Sequence, residues 1–191
     1  FLFGARDVWF VVGIPIYFYA VLSDGSEAGN RAAFFMIGTF MAVWTILYGV
    51  VQGWSPRILR AGSRSEVQLH AQAARWVASL AVVPAVLAVV VWLVPEASMG
   101  LTTLIVTGLL LFGGLFAVNS ALHSYLILSF TDASRVTMDV GFYYMSNAAG
   151  RLAGTVLSGL TYQLGGLPLC LGTAALMIGL SWLAVKRLET A

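Results

Sequence analysis

Tyr144, Asn147, Arg151, Thr155, Ser158 and Tyr162 recur at steps of 3, 4, 4, 3 and 4. That spacing puts six polar side chains on one face of a 3.6-residue helix. From Gly141 to Tyr162 the single formal charge is Arg151. A guanidinium presents a rigid fork of donors that meets phosphate or carboxylate oxygens two at a time, so this stripe offers anion recognition. Smaller polar stripes lie elsewhere. Thr45, Tyr48 and Gln52 step by 3 and 4, and Asn119 and His123 stand four apart with Ser120 and Ser124 one position round. Arg6 and Asp7 adjoin near the start, with Gly13 and Tyr17 on the arginine's side.

Other chemistries are poorly provided for. The only nucleophile–base combination is His123 with Ser120 or Ser124, and it lacks an orienting carboxylate. There is no HExxH and no pair of carboxylates at helical spacing within an apolar run. The single cysteine, Cys170, rules out an internal disulfide and a cysteine metal cluster. No catalytic residue, metal ligand or cofactor is therefore expected, and the chain does not read as an enzyme.

The elements that carry these stripes follow from composition. Of the 191 residues 60% are hydrophobic and 9% charged, with mean hydropathy +0.90. A soluble domain has about 25% charged residues, so the bilayer is the expected solvent. A net charge of +2 with dispersed basic residues gives no footprint for nucleic acid. Six stretches have roughly the 20 apolar residues that a membrane helix needs: about 1–22, 32–53, 76–94, 101–128, 140–162 and 167–185. The breaks are "SDGSEAGNR" (23–31), the basic loop 54–75, "PEASMG" (95–100), "TDASRVTMD" (131–139) and "LGGLP" (164–168). The chain opens on Phe1 and is already hydrophobic, so it is expected to be a piece of something longer.

Charge in the connections sets orientation. Arg57, Arg60, Arg64, Arg75, Arg135, Lys186 and Arg187 fall on one side, against Arg31 with Asp24, Glu27 and Glu96 on the other. Both ends are therefore expected in the cytoplasm. The third and sixth spans carry few polar groups and read as peripheral, lipid-facing helices; the other four surround an aqueous cavity. Each peripheral span closes a triplet, which suggests a 3+3 repeat. Gly150 and Gly154 form a small-xxx-small edge for close helix contact. Gly108, Gly113 and Gly114 are expected to do the same or to allow bending.

Arg151 lies about 11 residues, or roughly 16 Å at 1.5 Å per residue, into its span. An arginine at that depth costs about 2.5–3.5 kcal/mol on insertion scales. Two readings remain open: an ion pair with Asp7 or Asp139, or an anionic ligand, with Arg6 as a second cation. They can alternate in one machine, Asp7 exchanging for the ligand. Asp7 and His123 are also candidates to carry a coupling proton.

Three segments, "GARDVWFVVGIP" (4–15), "FAVNSALHSYLIL" (116–128) and "VGFYYMSNAAGRLAGTVLSGLTYQLGG" (140–166), together resemble the ArsJ organoarsenical efflux permeases of the major facilitator superfamily. The similarity extends over the whole chain. It implies an all-α integral membrane fold, the C-terminal six-helix half of a twelve-helix transporter, whose partner is the N-terminal half. It implies export of 1-arseno-3-phosphoglycerate across the bacterial inner (plasma) membrane, and a functional link to the glyceraldehyde-3-phosphate dehydrogenase that makes this ester from arsenate. Alternating access, driven by proton antiport, comes with the superfamily. The small substrate is anionic at each end. Arg151 and Arg6 are the residues to meet it, with Asn147, Tyr144, Asn119 and His123 as neutral hydrogen-bonding neighbours. The chain departs from the superfamily after the second span, where "GWSPRILR" lacks the aspartate of the G-x-x-x-D-R-x-G-R loop. Alternatives are a carrier of another anionic phosphorylated metabolite, and a membrane-embedded enzyme with His123 as base.

Overall fold

The computed structural model describes residues 1–6, 12–59, 66–94, 96–131 and 134–188. These are helical almost throughout, and no strand occurs among them. The elements are α1 (Leu2–Ala5), α2 (Ile14–Leu22), α3 (Glu27–Leu59), α4 (Glu66–Leu93), α5 (Met99–Phe130) and α6 (Val136–Leu188). Within α6 the helix breaks at Gly165 and Gly166, which leaves two arms, 136–164 and 167–188. Gly166 has φ 63°, a value that a side chain makes costly. Pro168 then falls in the first turn of the second arm, where its missing N–H costs no hydrogen bond.

Boundaries follow local chemistry. α2 stops at Ser23, and Gly25 turns the chain at φ 83°. Ser98 caps α5, its hydroxyl accepting from the Leu101 amide at 3.1 Å. The stretch 54–75, expected as a loop, is helical at both ends: residues 54–59 continue α3 and 66–75 open α4. Leu59, Leu69 and Ala73 bury themselves with Val118 and Leu122 of α5, and that burial holds the extra turns helical. Arg60 and Arg64 lie outside the described residues, as does Asp7.

The main core sits between α4, α5 and the second arm of α6, closed on one side by α2. Val77, Leu80, Leu87 and Val91 of α4 meet Leu101, Ile105 and Leu109 of α5 and Leu171, Ala174 and Ile178 of α6. The third and sixth stretches of the sequence thus supply much of the packed interior on one face while the rest of α4 stays exposed. α3 buries little: Phe34, Phe35, Ile46, Leu47 and Val50 all face outward. Among the described residues, four helices are able by length and composition to cross a membrane: Glu27–Leu59, Gln68–Leu93, Met99–Leu128 and Val136–Arg187. Such broad exposed apolar surfaces would be a liability in water and fit a lipid surround.

Candidate anion-binding cleft

Close backbone contact positions the site. A Cβ on Gly150 would fall on the Phe1 carbonyl, and one on Gly4 on the Asn147 carbonyl. One on Gly154 would lie 2.8 Å from the Ala5 oxygen. Small residues therefore let the first arm of α6 run against the backbone of α1, bringing Arg6 beside the polar stripe. Further along, a π-helical turn at residues 12–13 precedes α2, and the Gly13 amide donates to Ser158 Oγ at 3.3 Å. Cys170 Sγ lies 3.5 Å from the same hydroxyl. Ser158 and Tyr162, placed by spacing on the arginine stripe, thus turn into the contact with α2 and the second arm.

The cleft has a volume of about 520 Å³. Arg6, Tyr144, Asn147 and Arg151 line it, together with Thr45 and Tyr48 from α3 and Ser120 from α5. Trp44, Phe112 and Phe116 supply its aromatic wall. Arg151 is exposed and Tyr144 is 60% exposed, and both side chains line the cleft wall. Thr155 instead returns its hydroxyl to the Arg151 carbonyl at 2.9 Å.

Arg6 is held differently, at 3% exposure. Its guanidinium carbon lies 3.5 Å from the centroid of Phe3 and 3.8 Å from that of Phe116, and Nη1 donates to the Phe3 carbonyl. Each such cation–π contact is worth about 2 kcal/mol when desolvated. The His123 ring stacks on Phe3 at 3.9 Å. Two planar groups so near one centroid cannot share a face, so Arg6 and His123 sit on opposite sides of the Phe3 ring. The column continues through Phe116, Tyr48 and Trp44, with centroid separations of 4.8 and 5.8 Å. The Trp44 indole donates to the Leu109 carbonyl at 2.8 Å. Gly113 leaves it room, since a Cβ there would lie 2.9 Å from the indole.

Not every expected site residue reaches the cleft. Asn119 is fully buried, and neither its amide nitrogen nor its oxygen has a hydrogen-bond partner among the described residues. His123 lines a second cavity of about 360 Å³ with His70, Asp139 and Tyr143, and its Nε2 is buried without a described partner. Asp139 is no partner for Arg151: the two are twelve residues apart on one continuous arm, roughly 18 Å along the axis. Ser120 lines the cleft and His123 the second cavity. Phe3, Phe116 and Trp44 went unnoticed in the sequence. Single aromatics in an apolar run carry no positional signal, although Phe112, Phe116, Asn119 and His123 do share one face of α5.

The class defined by this architecture is an all-helical protein with several helices fit to span a membrane, carrying a polar cleft with two arginines. Comparison of the chain with family models, with curated proteins and with solved structures finds no match to any of them.

Proposed function

We propose that this chain is a six-helix half of a secondary transporter that exports a phosphorylated organoarsenical anion, 1-arseno-3-phosphoglycerate, by alternating access. The observation that carries the reading is the convergence of Arg6 and Arg151 on one cleft with neutral hydrogen-bonding groups from three helices. Six spans then follow if α1 and α2 together make the first and the two arms of α6 the last two. Arg151, on the cleft wall, grips one anionic end bidentately. Arg6, clamped between rings, supplies fixed positive charge at the other. Asn147, Tyr144, Thr45, Tyr48 and Ser120 take the hydroxyl and carbonyl groups between. The missing N-terminal half closes the open side, and rocking of the halves exposes the ligand alternately.

His123, separated from Arg6 by one aromatic ring, and Asp7 are the two candidates for the coupling proton. Asp7 keeps its proposed role as exchangeable counter-ion.

The test uses the full-length carrier in arsenate-challenged cells. Arg151→Ala and Arg151→Lys, both present in the membrane at wild-type levels, are expected to lose arsenate resistance. Normal resistance in both variants would remove the substrate role from Arg151. Transport of other phosphorylated acids at equal rates, with no preference for the arsenical, would instead favour the broader anion carrier. Lipid turnover that depends on His123 without transport would favour the enzyme.

A further inference from the structure

The outward face of α4 has an order that the cleft does not use. Arg75, Ser79, Val82, Val86, Val89 and Leu93 step by 4, 3, 4, 3 and 4, a single line along the helix. Val82, Val86 and Val89 are 57, 53 and 55% exposed, while the opposite face, Val77, Leu80, Leu87 and Val91, is in the core. Ser79 spends its hydroxyl on the Arg75 carbonyl at 3.0 Å, so the line is cationic at one end and aliphatic beyond. From Val82 to Leu93 is roughly 16 Å, about one leaflet of a 30 Å hydrocarbon layer.

At the cationic end lies a hollow of about 520 Å³ lined by Gln68, Ala71, Gln72, Arg75, Trp76 and Ser79. No described acidic residue is among them. Gln72 brings a carboxamide oxygen that is buried and has no hydrogen-bond partner among the described residues. A comparable hollow at the start of α3 sets Glu27 beside Arg31, so an anion there would meet a carboxylate. Among the described residues the α4 hollow opposes no negative charge to a phosphate, and its Gln72 acceptor has no donor.

We propose that this face binds one anionic glycerophospholipid whose headgroup carries hydroxyls. The phosphate sits on Arg75, a headgroup hydroxyl donates to the Gln72 carboxamide once that half-buried side chain turns its oxygen into the hollow, and Trp76 lies at the glycerol level, as indoles do at the interface. One acyl chain follows Val82, Val86 and Val89. A zwitterionic headgroup fits less well, because its ammonium would stand beside the guanidinium. The site is separate from the cleft and does not depend on what the cleft carries.

The experiment is native mass spectrometry of the full-length protein in detergent with phosphatidylglycerol, phosphatidylcholine or inorganic phosphate, on wild type and Arg75→Gln. Arg75 is exposed, so the variant is expected to fold, and its melting temperature checks this. Wild type is expected to retain phosphatidylglycerol at least fivefold over phosphatidylcholine. Arg75→Gln is expected to lose that preference and keep its phosphatidylcholine level. Gln72→Leu is expected to reduce phosphatidylglycerol retention by a smaller factor. Equal retention of the two lipids by wild type, or an undiminished preference in Arg75→Gln, would overturn the proposal. Displacement of the lipid by millimolar phosphate would also overturn it, by showing a site for the free anion.

Discussion

The two arms of α6 pack in opposite ways. The first arm buries Gly150, Gly154, Ser158 and Thr161, all small and spaced by 4, 4 and 3. The second buries Leu167, Leu171, Ala174 and Ile178 with Cys170 and Ser181. Small residues bring backbones together and consume little side-chain surface, and Tyr144, Asn147 and Arg151 of the first arm line the cleft. Large aliphatics fill space, so the second arm anchors the bundle and contributes nothing to the site. One helix divided at Gly165–Gly166 thus lines the cleft on one side of the break and fills the core on the other.

The contrast is sharpest if the two arms are attacked separately. Ile178→Ala in the second arm is expected to cost about 2–5 kcal/mol of stability, seen as a large drop in apparent melting temperature with anion affinity unchanged. Loss of Arg151 is the mirror case: Arg151→Ala should leave melting unchanged and weaken anion binding at least about 30-fold, the lower end of what truncating one member of a hydrogen-bonded charge pair costs. If both variants shifted both readouts equally, the division between arms would be wrong.

Next in size is Gly154→Ala. A methyl 2.8 Å from the Ala5 carbonyl oxygen forces backbone apart, an overpacking cost of about 1–3 kcal/mol. Gly159→Ala on the same arm meets nothing within 4 Å and is expected to stabilise by up to about 1 kcal/mol through helix propensity. Opposite signs in a thermal-melt assay would confirm that the first arm packs through its glycine edge.

The smallest effect lies outside the bundle. Asp24 accepts from the Ser26 hydroxyl at 2.7 Å and from the Ser26 amide at 2.9 Å, and these bonds hold its carboxyl below the usual aspartate value. A folded-state pKa below the unfolded one stabilises above the unfolded pKa, and the benefit is lost as pH falls through the folded value. Ser26→Ala is expected to move the Asp24 carboxyl resonance midpoint upward in an NMR titration, with little change in melting.

Much of the frame was legible in the sequence because the bilayer imposes long apolar runs and leaves polar residues and Gly/Pro pairs to mark their ends. The "LGGLP" turn became the break in α6, and Gly150 and Gly154 became the contact with α1. What periodicity could not resolve is which neighbour a face meets. Ser158 lies between the arginine stripe and the glycine edge, and packing against Gly13 and Cys170 takes it inward. Asn119 and His123 share a face with Phe116, yet Asn119 is fully buried and Phe3 stands between His123 and Arg6. Their separation from the cleft depends on an interhelical contact that no local pattern encodes. The extent of α3 and α4 into 54–75 was hidden for the same reason: polar composition suggested a loop, while Leu59 and Leu69 find a partner in α5.

The most direct test of the central claim is arsenic accumulation by everted membrane vesicles containing the full-length protein, with glyceraldehyde-3-phosphate dehydrogenase, its substrates and arsenate generating the ester outside. Wild-type vesicles are expected to accumulate arsenic only when the dehydrogenase is present, and Arg151→Ala vesicles to fall to the level of empty membranes. Accumulation that is independent of the dehydrogenase, or equal in wild type and Arg151→Ala, would contradict the account.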